Sequence, residues 1–312
     1  TLLRIIASLG MGAEIVTGFA LVNEFAPILH RGRWAGGASV VGNLGSPLGL
    51  LLCTLLIPRY SWRAPFFVVG VLALLLWGLR FNNFPESPRW LMSQGRYDEA
   101  EKLVKQLEVR GTYTTKNNSS ESKRVTTSLA RGLFVGVVAA VVTTLAQFTF
   151  TSWVPTLLVK RGIDVAHSFM FSTVMMVGAP VGAFFGAMLV DWAGRKKTIV
   201  VGFMLTALLG VTFAYQTTNF MVMLVGFLLT LCMYAMNASI LSVYVPELFQ
   251  TKFRFRGEGY SAGAGKLAAV LMPSFVVWTL TNFGPTYVFF GIAVLTILGA
   301  VVVGLFGPET KQ

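Results

Sequence analysis

Glu14 is the one acidic residue set deep inside a long apolar run of this sequence of 312 residues. An ionised carboxylate in hydrocarbon is costly, so such residues usually face a cavity and serve an ion or proton pathway. The competing reading is a structural carboxylate paired with Arg4 or a polar neighbour. Arg4 precedes Glu14 by ten residues, nearly three turns, so the two share a helix face only loosely. Arg4 and Lys266, the two bases inside apolar runs, both have a plain reading as side chains snorkelling to the nearer surface. Two other runs carry polar and aromatic side chains: Gln147, Phe150 and Trp153 on one, and Tyr234, Asn237, Ser239 and Ser242 on the other. Singly, residues of this kind serve as glue between helices; taken together they fit the wall of a solute cavity. Covalent chemistry is not indicated. Neither His30 nor His167 lies mid-run, and no paired acids occur there. Cys53 and Cys232 sit in apolar runs without metal-ligand spacing, and no Walker-type phosphate loop is present. No enzyme activity, metal or cofactor is expected.

The elements that must position these residues follow from composition. Hydrophobic residues make up 54% of the chain and charged residues 12%, about half the charge of a soluble domain. Mean hydropathy is +0.68, more apolar surface than one water-soluble core hides. Runs long enough to cross a bilayer as helices fall near 2–22, 35–57, 64–82, 132–157, 168–190, 198–215, 220–245, 259–282 and 287–306. They are long and continuous where barrel strands would be short and alternating. The longest polar stretch, 85–130, contains an amphipathic helix from Arg96 to Arg110, then a Ser/Thr/Asn/Lys-rich segment.

The net charge of +12 would suggest a nucleic-acid partner in a soluble protein. With the loops assigned to alternate sides, one side takes Arg31, Arg33, ten bases from Arg80 to Arg131, Arg195 to Lys197, Lys252, Arg254, Arg256 and Lys311. The other takes only Arg59, Arg63, Lys160 and Arg161. This asymmetry follows the positive-inside rule and makes the 85–130 linker and the C-terminus cytoplasmic. The bases are dispersed over one membrane face, so nucleic acid is excluded as a partner. Asn118-Ser-Ser, a glycosylation sequon by pattern, then falls on the cytoplasmic side and is discounted.

An internal repeat runs through the chain. Glu24, Arg31 and Arg33 recur as Glu247, Arg254 and Arg256 at a constant offset of 223 residues, with Gly36 and Gly42 falling on Gly259 and Gly265. Pro85-Glu86-Ser87 falls on Pro308-Glu309-Thr310 at the same offset, and Glu14 on Asn237. Two homologous halves are the build of many secondary transporters. The offset also gives an expectation that about ninety residues, roughly three helices, precede Thr1. Small-residue stripes at Gly178-x3-Gly182-x3-Gly186, Gly45-x3-Gly49 and Gly259-x3-Gly263 predict close helix contacts.

Several segments together resemble the major facilitator superfamily, in its sugar-porter-like, metabolite:proton symporter branch. They are Arg4-x5-Gly10-x-Gly12-x-Glu14, Pro85-Glu86-Ser87-Pro88-Arg89-Trp90-Leu91, Asp191-Trp-Ala-Gly194-Arg195-Lys196-Lys197, Pro246-Glu247-Leu-Phe and Pro308-Glu309-Thr310. The resemblance implies an all-α membrane protein with nine of the superfamily's twelve transmembrane helices. It divides the chain into the rest of an N-terminal bundle (1–84), a cytoplasmic linker (85–130) and a C-terminal six-helix bundle (131–312). It implies residence in a bacterial inner membrane as a monomer whose partners are a small solute, protons and lipid. It gives Arg4 the role of anion anchor or proton-relay partner, and Glu14 that of acceptor for the coupling proton. It makes Asp191, Gly194, Arg195, Glu24, Arg31, Glu247 and Arg254 an inward gate of ion pairs; the plainer reading is ordinary interfacial charge. The departures are informative. Ser152-Trp153-Val154-Pro155-Thr156 stands where sugar porters have Tyr-Tyr-x-Pro-Thr; Val142, Thr143 and Phe148 replace the upstream amides, and Ser242 a Trp. A simple sugar is therefore not the expected solute. The expectation is proton-coupled symport of a small polar or anionic metabolite, with proton-driven efflux and a transporter-like sensor as alternatives.

Overall fold

The computed structural model describes residues 2–3, 5–10, 18, 31–83, 86, 91–92, 94–109, 128–249 and 253–310; within these, the side chains at 31–36, 80–83, 104, 106–109, 187, 190–191 and 254–255 are not described. The described residues form helices and connecting turns, with no strand. In chain order the helices are α1 (Arg31–Leu56), α2 (Ala64–Asn83), α3 (Tyr97–Val109), α4 (Leu129–Lys160), α5 (Val165–Met176), α6 (Gly178–Ala193), α7 (Arg195–Tyr215), α8 (Asn219–Ser239), α9 (Val245–Glu247), α10 (Arg254–Asn282) and α11 (Pro285–Phe306). A π-helical turn, Ile240–Tyr244, joins α8 to α9. Seven segments are long and apolar enough to cross a bilayer, and Ala64–Leu79 is a shorter apolar helix. These account for eight of the nine expected spans. The ninth, 2–22, falls largely outside the described residues.

Contacts divide the chain into two units, one of Thr1–Ser39 with Phe66–Ser122 and one of Val40–Pro65 with Lys123–Gln312. In the first, α3 is the expected amphipathic helix. Arg96 pairs with Glu99 at 2.5 Å and Lys105 with Glu101 at 2.7 Å on its exposed face, while Ala100 is buried. Pairs at this spacing hold a solvated helix surface together.

The second unit is organised by close backbone approach. α6 packs on α8 along the Gly178, Gly182 and Gly186 stripe. A Cβ at Gly182 would stand 2.2 Å from the Leu231 carbonyl oxygen, and one at Gly186 2.4 Å from that of Ala235. No larger residue fits there, as the stripe predicts. Gly45, Gly49, Gly259 and Gly263 meet nothing within 4 Å among the described residues, so those stripes make no such contact in the described structure. Without water, each buried hydroxyl needs an internal acceptor. Thr143, Thr149, Ser172, Thr206, Thr230 and Thr296 each donate to the carbonyl four residues earlier in their own helix. The largest apolar cluster includes Phe150, Phe213 and Phe289, whose rings meet at 4.9–6.3 Å. Large apolar side chains remain exposed on the spans, among them Leu205, Leu208, Leu267, Val270 and Leu271, as expected where lipid replaces water.

Candidate functional site

Two polar clusters form in the second unit, joined by one helix. The first lies midway along α4 and near the end of α8. The Asn237 amide donates to Gln147 Oε1 at 2.6 Å, across 90 residues of sequence. Both side chains are half-buried. The bond uses one donor of Asn237 and the acceptor of Gln147, which leaves further amide hydrogens for a solute oxygen. Trp153 is half-buried six residues further along α4 and packs on the main apolar cluster. Tyr234 is buried and Ser242 exposed. Ser239 is placed differently: it is fully buried, with its hydroxyl 2.7 Å from the Ala235 carbonyl oxygen and 3.1 Å from that of Gly186. It ties α8 to α6 and stands outside the amide pair.

The second cluster gathers at the start of α7. Arg195 donates through Nε and Nη2 to the two oxygens of Glu247, each at 3.1 Å. This is a bidentate, charge-assisted pair, the strong kind. The Thr310 hydroxyl donates to Glu247 Oε2 at 2.5 Å. Glu309 accepts from the backbone N–H groups of Arg195 at 2.9 Å and Lys196 at 3.2 Å. The first N–H groups of any helix lack internal partners, and Gly194 supplies no side-chain cap to α7. A carboxylate more than a hundred residues away does so instead. Gly194 suits this turn because its φ is +92°, and a Cβ there would also crowd Glu309 Oε2 at 3.3 Å. Tyr244, on the π turn, donates to the Pro308 carbonyl at 3.1 Å and holds the same segment.

The structure thus brings Gln147 together with Asn237, and Arg195 with Glu247. Glu309 and Thr310, motif residues in the sequence, complete the second cluster. Their repeat relation to Glu86 and Ser87 was the available signal. Arg4, Glu14 and Glu24, and the side chains of Arg31, Asp191 and Arg254, lie outside the described residues. Asn237 and Glu247 are ten residues apart on one helical path, about 15 Å at helical rise, and the π turn lies between them. Such turns recur where helices carry function.

The whole chain, residues 1–312, matches the model of the family described as sugar (and other) transporter. It is 32% identical to the inner membrane metabolite transport protein YdjE of Escherichia coli, over 99% of this chain and 72% of that protein. It is 27% identical to the niacin transporter NiaP of Acinetobacter baylyi, over 99% and 72%. Among solved structures, the xylose transporter XylE of E. coli in a partially occluded, inward-open conformation superposes with a TM-score of 0.71 at 23% identity, over 99% of this chain and 71% of that one.

Proposed function

This chain belongs to the sugar (and other) transporter family of the major facilitator superfamily, a multi-pass transporter of the bacterial inner membrane, and from that premise we propose that it carries a small organic acid by proton-coupled symport with alternating access. The observation that carries the reading is the Gln147–Asn237 pair: two half-buried amides, from different helices, with hydrogens to spare. A carboxylate accepts from such donors, and a hydrogen bond to a charged group is worth about 1.5–3 kcal/mol net. The similar niacin transporter has a solute name that denotes an aromatic carboxylic acid, which supports the same class here.

The Arg195–Glu247 pair serves as the inward latch, and the Glu309 cap holds the start of α7 in place beneath it. In this reading residues 1–84 belong to one bundle, 131–312 to the other, and 85–130 link them. Rocking of the bundles about the solute breaks and remakes the latch. Glu14 takes up the coupling proton, and Arg4 holds the acid's charge or relays that proton. Solute and proton need only bind one orientation better than the other to drive the cycle. Nothing covalent is required.

The test is uptake of radiolabelled nicotinate by the full-length protein in proteoliposomes under an inwardly directed proton gradient. Wild type accumulates the label, and Glu14→Gln retains equilibration while losing gradient-driven accumulation. Full accumulation by the Gln variant removes the coupling role of Glu14. A thermal-shift series of carboxylic acids against hexoses tests the solute class independently; stabilisation by hexoses alone contradicts it.

A further inference from the structure

Arg161 is one of only four bases on the side of the chain that the positive-inside rule makes extracytoplasmic, and the latch and the amide pair leave it unused. It follows the last residue of α4 and reaches to the end of α7. Its guanidinium donates to the Phe213 carbonyl at 3.3 Å and the Ala214 carbonyl at 2.8 Å. It also lies over the rings of Phe213 and Phe289, at 5.6 and 5.4 Å from their centroids. These two bonds use two of its five N–H donors. Among the described residues it makes no ion pair. Burial pushes its pKa down. Asp164, three residues on, is turned to the start of α5, where it caps Ala166 and His167 and pairs with the His167 ring.

Beside this cation is a cavity of about 540 Å³, lined by Arg161, Gly162, Tyr215, Gln216, Thr217 and Asn219 among others. That volume suits a small organic ligand. The lining offers one positive charge, amide and hydroxyl groups and an aromatic wall, with no acid among the described residues. Tyr215 also belongs to a run of aromatic contacts through Phe290, Tyr287, Phe283 and Trp278. Aromatic residues gather where membrane meets water, which sets the cavity at the mouth of the bundle rather than in its middle.

We propose that this cavity is an oxyanion-docking site at the extracytoplasmic mouth, separate from the Gln147–Asn237 pair, with the guanidinium of Arg161 holding the anionic group and Tyr215 flanking an apolar body. The fitting chemistry is one oxyanion on a small apolar frame. Two sources present it: the carboxylate of an arriving acid, and the phosphate of an anionic lipid headgroup. The inference rests on the organic-acid reading only for its choice of probe.

The experiment places a reporter at Thr217, an exposed lining residue. Full-length T217C, in a background with Cys53 and Cys232 replaced by Ala, is reconstituted and labelled with a membrane-impermeant maleimide. Benzoate at ten times its dissociation constant is expected to slow labelling about tenfold, by occupancy alone. Arg161→Gln loses this protection. Arg161 also braces α7, so Asn219→Asp serves as a second variant: it leaves both carbonyl bonds intact, places a negative charge in the lining, and is likewise expected to lose protection. Protection by benzoate in phosphatidylcholine vesicles supports a free acid as occupant. Protection without benzoate, found only in phosphatidylglycerol vesicles, supports the lipid phosphate at the same site. Equal protection in wild type and both variants overturns the inference, as does protection in neither lipid, or labelling of T217C only from the cytoplasmic side. Labelling registers occupancy without turnover. Absent protection with intact nicotinate transport therefore removes the pocket alone, and protection without transport removes the transport reading alone.

Discussion

Arg195 and Arg161 stand at opposite ends of the same helix, α7, and are satisfied in opposite ways. Arg195 begins the helix, together with Lys196 and Lys197, where the helix dipole is positive. Three bases there oppose the dipole, and two carboxylates answer them: Glu247 on the guanidinium and Glu309 on the backbone N–H groups. Arg161 meets the other end, where free carbonyls make the dipole negative, and two of those carbonyls satisfy it without any acid. The inner end is therefore a set of opposite charges that can separate. The outer end is a fixed cation with donors left over. That difference is the ground for proposing switching at one face and anion capture at the other.

The largest effect is expected from the amides proposed to bind the solute. Asn237→Leu removes the donor and leaves the Gln147 oxygen without its partner. Transport of nicotinate, measured in proteoliposomes, is expected to fall roughly 10- to 150-fold, the equivalent of one lost hydrogen bond to a charged group. Retained transport would move the binding site off this pair. Next in size is the latch. Glu247→Gln keeps the shape but removes the charge, and flux is expected to drop about tenfold or more with solute affinity within a factor of two, since a shift of about 1.4 kcal/mol between orientations is a factor of ten in their populations. An equal loss of affinity and flux would make Glu247 part of the solute site instead.

A smaller change belongs to the outer end. Arg161→Gln is expected to raise the half-saturating concentration of nicotinate several-fold with little change in maximal rate, as charges at the rim of a binding site act mainly on association. The smallest effect is purely structural. Glu309→Ala strips the cap from α7 and should cost about 1 kcal/mol, seen as a fall of roughly 2–4 °C in thermal unfolding. An unchanged transition would mean that solvent caps the helix equally well.

How much of this was legible in the sequence depends on how local each cause is. The spans are set by the apolar content of single segments, so eight of the nine expected ones stand as helices among the described residues. Gly178, Gly182 and Gly186 were equally readable, because a stripe without side chains has few uses besides close packing. Gly45, Gly49, Gly259 and Gly263 have the same spacing and no such neighbour in the described structure. Spacing gives a smooth face and does not name what lies against it. Gln147 and Asn237 were readable as polar residues on apolar helices, but their bond joins positions 90 residues apart and has no local signature. Glu309 was recognisable as one half of a repeated motif, yet nothing near it in sequence reveals that it caps α7. In sequence Arg161 is only one charge among the loop bases, because its environment is made by carbonyls and rings from two other helices.

Counterflow separates a solute that is carried across the membrane from one that is merely sensed. Proteoliposomes containing the full-length protein are preloaded with unlabelled nicotinate and diluted into a trace of the radiolabelled acid. A transporter working by alternating access exchanges the two and gives a transient internal excess of label, abolished by Asn237→Leu. Saturable binding of nicotinate without that transient would rule out transport and describe a receptor built on a transporter's fold.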